Sequence, residues 1–121
     1  MDGGLFQRRV AQWIEACFPA YACTDLEERI HRFLEESLEL AQAVGCSRED
    51  AHRLVDYVFS RPADQPEREV GGVMVTLAAL CSVANLDMDR AGDAELARNW
   101  VRIDAIRKKQ AARPIGSPLP Q

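Results

Sequence analysis

Apolar residues recur every three to four positions along most of the chain, which is the period of an amphipathic helix. The first such stretch shows this period through one apolar stripe, formed by Leu5, Phe6, Val10, Trp13, Ile14 and Cys17. Clusters of proline and glycine separate the stretches, and none of them alternates with the two-residue period of a strand. The pattern therefore predicts an all-α bundle of four to five helices.

Capping signals set the limits of these helices. Thr24 with Glu27, and Ser47 with Asp50, have the spacing of N-terminal caps, and Gly45 is a typical C-terminal cap. We expect a break or short turn over residues 87–92. The predicted helices span residues 5–17, 24–44, 47–61, 64–86 and 93–112.

The fourth predicted helix is apolar on every side between Val70 and Ala84. A helix of this kind is buried on every side, and a chain of 121 residues offers only three or four other helices to cover it. We therefore expect a second subunit to complete the bundle, in a homodimer or homotetramer. Gly71 and Gly72 would allow another backbone to approach this helix closely.

Charge excludes one class of partner. The chain has 19 acidic and 15 basic residues, a net charge of -4. Domains that bind nucleic-acid polymers by neutralising phosphates are usually basic, so we expect no nucleic-acid polymer as a partner. A substrate that carries phosphates stays compatible with this charge if a metal ion lies between its phosphates and the protein's carboxylates.

Cysteine spacing and apolar runs bear on compartment and organisation. The four cysteines form no CxxC pair and no zinc pattern, the N-terminus has no leader pattern, and the apolar run over residues 70–86 is interrupted by polar residues and glycine. We expect a cytoplasmic protein with reduced thiols and no membrane contact. It would consist of one domain over residues 1–112 and a mobile, proline-containing tail over residues 113–121.

The acids of the second and fourth helices have two interpretations. Glu36 and Glu39 are three residues apart, on one face of a helix, and Glu69 opens the apolar helix. They form either a solvated acidic surface, with Arg29 and Arg32 as ion-pair partners, or a site for a hard divalent cation, which prefers oxygen ligands. Periodicity alone leaves both interpretations open.

Three segments, in order, resemble the MazG-like all-α nucleoside triphosphate pyrophosphohydrolases. EESLE at residues 35–39 fits the EExxE element of that family, and EVGGV at residues 69–73, before an apolar run, looks like its second motif helix, whose core is ExxD. Arg98-Asn99, with Arg102 downstream, is similar to the basic helix that follows. The likeness covers about residues 24–110.

The resemblance implies a hydrolase of acid anhydrides. It would cleave a nucleoside triphosphate, ribo or deoxyribo, between the α and β phosphates, giving a monophosphate and pyrophosphate, with Mg²⁺ or Mn²⁺ as cofactor. Glu36, Glu39 and Glu69 would be the metal ligands. Glu35 would be a supporting ligand or a catalytic residue, and Glu36 would also be catalytic. In such a site, one glutamate accepts the proton of the attacking water.

The same resemblance implies that basic residues contact the substrate. Arg98, Asn99 and Arg102 would bind its phosphates or nucleoside, and Arg107, Lys108 and Lys109 are further candidates. Each of these has an ordinary alternative as a solvated residue of a helix end.

The chain departs from the family pattern at one acid, since the Asp of ExxD falls on Gly72. If the protein still binds the metal, either three glutamates and water would hold it, or Glu35, Asp87 or Asp89 would substitute for the missing ligand. Otherwise the protein is a non-catalytic nucleotide-binding or regulatory bundle. A third hypothesis is a plain helical interaction module whose acids are only a solvated face.

Overall fold

The computed structural model describes residues 3–112, and this range contains seven helices and no strand. The prediction of an all-α fold is confirmed. Residues 113–121, the predicted tail, lie outside the described residues. The helices are α1 (Leu5–Cys17), α2 (Ala20–Cys23), α3 (Leu26–Ala43), α4 (Arg48–Phe59), α5 (Pro66–Val83), α6 (Met88–Val101) and α7 (Ile103–Ala111).

The N-cap of α3 lies one residue after the predicted cap, and the N-cap of α4 is the predicted residue. Asp25, not Thr24, caps α3, since the backbone N–H of Glu28 donates to its carboxylate at 3.2 Å. Thr24 belongs to the preceding α2, where its hydroxyl donates to carbonyl groups of that helix. Ser47 caps α4 by accepting from the backbone N–H of Asp50 at 3.1 Å.

Two helices end in the same left-handed turn. Gly45 follows α3 with a φ of 106°, and Asn85 follows α5 with a φ of 60°. In each case the next amide donates back to a carbonyl within the helix, Cys46 at 2.9 Å and Leu86 at 2.8 Å, which is the Schellman arrangement. The Gly45 cap was predicted, whereas the Asn85 turn ends α5 three residues before the predicted limit, Leu86.

The last predicted helix, residues 93–112, is two helices and starts earlier than predicted. The N-terminus of α6 lies beside Asp87, whose carboxylate accepts from the backbone N–H of Arg90 at 3.0 Å. A turn at Arg102 then separates α6 from α7. The predicted break at residues 87–92 therefore lies at residues 84–87 instead.

The chain divides into two compact units, with boundaries inside α3 and α6, and the first unit consists of residues 3–34 and 92–112 within the described range. Its core is Cys17, Phe18 and Ala22, against which Trp13 and Ile106 pack. Trp13 meets Phe18 edge-on, with ring centroids 5.5 Å apart. This unit is held by side chains from both ends of the chain.

The second unit, residues 35–91, is described throughout and buries one apolar side chain, Cys81. The apolar surface of α5, predicted to be buried on every side, is largely exposed in the single chain, as at Met74 (61%) and Val75 (70%). On α4, Phe59 is 84% exposed. No single helix among residues 3–112 is long and apolar enough to cross a membrane, although α5 and α6 pass the same test as a bent pair.

Candidate metal and nucleotide site

The EESLE segment lies within α3, as its spacing predicts. Because residues 35–39 are continuous α-helix, Glu36 and Glu39 occupy neighbouring positions on one face. Glu36 and Glu39 are exposed and Glu35 is half-buried. The carboxylates of Glu36 and Glu39 therefore lie at the surface of α3.

Glu69 lies in the first turn of α5 and is exposed. Gln65 is the N-cap residue, Pro66 occupies the first turn, and the amide of Glu69 donates to the carbonyl of Gln65 at 3.2 Å. A carboxylate here is favoured by the helix dipole without any ligand. The position suits both interpretations of Glu69.

The predicted ligands do not converge within one chain. Among residues 3–112, no three Asp, Glu, His or Cys side chains lie close enough together to hold a metal ion. Glu36 and Glu39 share a helix face, but Glu69 on α5 does not join them to form such a group. The three-carboxylate site therefore stays a prediction.

Gly72, which replaces the acid of ExxD, is not required by crowding within the chain. A Cβ atom built at this position meets no heavy atom within 4 Å. The helix continues through it, and the Thr76 hydroxyl donates to its carbonyl at 2.8 Å. An aspartate can therefore be introduced at position 72 without a steric clash.

The predicted phosphate-binding residues form a network around Glu95. Arg98 Nε donates to Glu95 Oε1 at 3.1 Å, and Arg102 Nη2 lies 3.7 Å from Glu95 Oε2. Arg102 also donates to the side-chain carbonyl of Asn99 at 3.2 Å. Both arginines are exposed, so a phosphate reaching them would compete with Glu95. Sequence reasoning missed Glu95, although its spacing of three residues from Arg98 was the signal.

Arg107 has a structural partner instead of a free guanidinium. It donates through Nε to the carbonyl of Cys17 at 3.3 Å and through Nη2 to the carbonyl of Ala16. These carbonyls lie at the C-terminal end of α1, where helix acceptors lack partners within the helix. The contact joins α7 to α1 and accounts for Arg107 without a phosphate.

Glu28 is a buried carboxylate that sequence reasoning did not single out. It is 3% exposed and accepts a hydrogen bond from Gln110 Nε2 at 3.0 Å, and Gln110 is also buried. Arg29 Nη2 and Arg32 Nε lie 3.5 and 3.6 Å from Glu28 Oε1. Both arginines, considered above as partners of Glu36, thus make ion pairs with Glu28, and the four-residue spacing of Glu28 and Arg32 could have indicated this.

A cleft of about 430 Å³ lies in the first unit, between the end of α1 and α7. Phe18, Tyr21, Arg107 and Gln110 are among its lining residues. None of the predicted metal ligands lines it, nor do Arg98, Asn99 and Arg102. The cleft therefore adds no support to the nucleotide site.

Comparison of the chain with protein-family models, curated proteins and solved structures gives no match. The resemblance to the MazG-like family accordingly rests on the three motifs and their order along the chain.

Proposed function

We propose that the protein is a Mg²⁺-dependent nucleoside triphosphate pyrophosphohydrolase of the MazG-like type. The observation that supports this most is the helical setting of the two acidic motifs. The first lies on an unbroken helix with Glu36 and Glu39 on one exposed face, and the second places Glu69 in the first turn of the apolar α5. The order of the motifs along the chain is the order in that family.

The residues present suit the chemistry of this cofactor. Hard cations such as Mg²⁺ and Mn²⁺ take carboxylate oxygens, and Glu36, Glu39 and Glu69 supply exposed carboxylates. When bound, Mg²⁺ neutralises phosphate charge and lowers the pKa of a coordinated water. The half-buried Glu35 would support these ligands or accept the proton of the attacking water.

Arg98, Asn99 and Arg102 would hold the phosphates or the nucleoside. Because the two arginines pair with Glu95 in the free protein, substrate phosphates would replace that carboxylate as their partner. Replacement of one anion by another keeps the guanidinium charges compensated throughout binding. Glu95 thus orients both side chains before the substrate arrives.

The experiment is turnover of a panel of canonical and modified ribo- and deoxyribonucleoside triphosphates with Mg²⁺, followed as release of monophosphate and pyrophosphate. We expect Glu36→Gln to lower turnover at least 100-fold and Glu27→Gln, an exposed control on the same helix outside the motif, to leave it unchanged. No turnover of any triphosphate, or full activity in Glu36→Gln, would refute the enzymatic proposal.

Gly72 favours a second candidate function, nucleotide binding without hydrolysis. Glycine has no side chain that could ligate a metal, and open space surrounds position 72. Gly72→Asp therefore tests the missing acid directly. Calorimetric binding of a triphosphate by the wild type without product formation, and hydrolysis gained in Gly72→Asp, would support this alternative. A plain interaction module predicts no thermal stabilisation by Mg²⁺ or Mn²⁺, with or without nucleotide.

The proposal also includes setting and assembly. All four cysteines, each within the described residues, are free, which suits the reducing cytoplasm. The net charge of -4 suits a small metal-bound triphosphate better than a nucleic-acid polymer. We also propose self-association as a homodimer or homotetramer, because the apolar α5 is largely exposed in the single chain.

A further inference from the structure

The cleft between the end of α1 and α7, which the nucleotide proposal leaves unused, has the size and walls of a small-molecule site. Its volume of about 430 Å³ lies within the usual range of ligand pockets, about 300–1,000 Å³. Two of its lining residues are aromatic, the buried Phe18 and the exposed Tyr21. Aromatic side chains pack well against a planar ligand, so the walls suit a molecule that contains a ring.

Gln110 brings a hydrogen-bond acceptor without a partner to the wall of this cleft. It is 3% exposed, and its Nε2 donates to the carboxylate of Glu28 at 3.0 Å. Because an ionised carboxylate only accepts hydrogen bonds, this contact fixes the orientation of the amide and turns Oε1 away from Glu28. Oε1 is buried and has no hydrogen-bond partner among residues 3–112. Buried polar atoms are nearly always paired, so this oxygen indicates a donor that residues 3–112 do not provide.

Arg107 lies in the same wall and retains donor capacity. A guanidinium has five N–H groups, and the contacts of Nε and Nη2 with the carbonyl groups of Cys17 and Ala16 fix its plane. Nη1 makes a long ion pair of 4.0 Å with Asp104, whose side chain is 97% exposed. Such an exposed pair contributes little to stability, so a carboxylate in the cleft can replace Asp104 as the partner of Nη1.

A charged cluster next to the cleft adds positive charge. Arg29 and Arg32 both pair with Glu28, so these three side chains together carry one net positive charge. The cluster touches the cleft wall at two points. Glu28 bonds to Gln110, and the Arg29 guanidinium lies 5.1 Å from the centroid of the Phe18 ring.

Two residues of the wall show how these charges act on the cleft. Burial raises the pKa of the Cys17 thiol, and the positive charges of Arg107 and Arg29 oppose this rise, so both charges reach the wall. Glu15 also lines the cleft but is exposed, and salt screens exposed charges more than buried ones. The charges therefore favour an anionic ligand group over a cationic one.

We propose that this cleft binds a small aromatic carboxylate that carries a hydrogen-bond donor on the opposite side of its ring. The carboxylate pairs with Arg107, the donor bonds to Gln110 Oε1, and the ring packs against Phe18 and Tyr21. Arg107 and Gln110 are three residues apart on α7 and are neighbours on one face, with Cβ atoms about 5–6 Å apart, a distance that one aromatic ring spans. The proposal does not depend on the pyrophosphohydrolase activity.

The test is a titration of the ¹⁵N-labelled full chain with 4-hydroxybenzoate, followed by NMR. We expect saturable binding with a Kd of about 1 mM or tighter, as suits a ligand of this size. The resonances of the Gln110 side-chain amide and of Arg107 Nε–H should shift. The side-chain amide of Gln42, an exposed residue of α3 outside the cleft, should not shift.

Two matched ligands test the polar contacts without altering a side chain that holds the fold. In 4-methylbenzoate a methyl group of similar size replaces the donor, and in 4-hydroxybenzamide a neutral group replaces the carboxylate. Each should bind at least tenfold more weakly than 4-hydroxybenzoate, because a buried polar partner is then left unpaired. An analogue that binds as tightly as 4-hydroxybenzoate overturns the proposal, as does the absence of binding by 4-hydroxybenzoate at about 10 mM.

A pair of tyrosine variants tests the location. Tyr21 is 47% exposed, so Tyr21→Ala should keep the helix content, checked by circular dichroism, and weaken binding of 4-hydroxybenzoate about tenfold. The matched control is Tyr57→Ala on α4, at a tyrosine that is 57% exposed and lies outside the cleft, and it should bind like the wild type. Equal affinity of the two variants would place the ligand elsewhere and overturn the proposal.

Discussion

Glu28 and Gln110 provide the sharpest test of how the first unit is held together. They are 82 residues apart, on α3 and α7, and their side chains meet through one hydrogen bond of 3.0 Å in a buried setting. Replacement of Gln110 by alanine removes the donor and leaves a carboxylate that is 3% exposed with one partner fewer. Hydrogen bonds to charged groups contribute about 1.5–3 kcal/mol to stability. We therefore expect Gln110→Ala to lower the free energy of unfolding by about 2 kcal/mol.

Glu28→Ala should cost more, about 3 kcal/mol, because it also removes the ion-pair partner of Arg29 and Arg32. The double variant should lose less than the sum of the two single losses. The difference, the coupling energy, should be on the order of 1–2 kcal/mol, since each substitution already removes the shared hydrogen bond.

The assay is urea and thermal unfolding at one protein concentration, because self-association makes the Tm depend on concentration. A loss of 2 kcal/mol lowers the Tm of a chain of this length by roughly 8 °C. Glu27→Ala, at the exposed neighbour of Glu28, is the matched control and should stay within about 0.5 kcal/mol of the wild type. Coupling near zero, or a Gln110→Ala variant as stable as the control, would refute the buried contact between α3 and α7.

Three further predictions concern Cys17, the helix caps and the small core. Burial raises the pKa of the Cys17 thiol, and the positive charges of Arg107 and Arg29 oppose this rise. Because the unfolded chain therefore loses this proton first, the free energy of unfolding should fall as the pH rises above about 8.5. Urea titrations should show a smaller fall in Cys17→Ala. Ser47→Ala should lower the free energy of unfolding by about 1 kcal/mol, because it removes the N-cap of α4. Thr24→Ala removes a hydroxyl that caps nothing in α3 and should lower it by less than about 0.5 kcal/mol in the same assay. Equal losses would contradict the assigned caps. Phe18→Ala should cost about 3–5 kcal/mol and alter the fluorescence of Trp13, its edge-on neighbour, while Leu5→Ala, at a residue 69% exposed, should do neither.

The candidate site was predictable from sequence only as far as local geometry reaches. The i, i+3 spacing of Glu36 and Glu39 places them on one face of any helix, and the proline and acids at residues 64–69 mark a helix start, so the structure has both as expected. Whether Glu69 approaches the α3 acids depends on packing between helices, which no spacing rule contains. The pairing of Arg98 with Glu95 follows the i, i+3 rule, whereas Arg102 is seven residues from Glu95 and lies beyond that rule.

The sequence by itself determined that the chain is helical, where α1 and α4 begin, and that α3 ends just before Gly45. These features depend on interactions within a few residues, namely helical periodicity, side-chain caps and glycine's tolerance of positive φ. Only the tertiary structure decided that Glu28 is buried against Gln110 and that Arg107 donates to the carbonyl groups at the end of α1. The two long-range contacts join residues more than 80 positions apart, where periodicity carries no information. The exposure of α5 also depends on contacts distant in the sequence. Its apolar residues predict burial, but the packing of other helices determines which of these residues are covered.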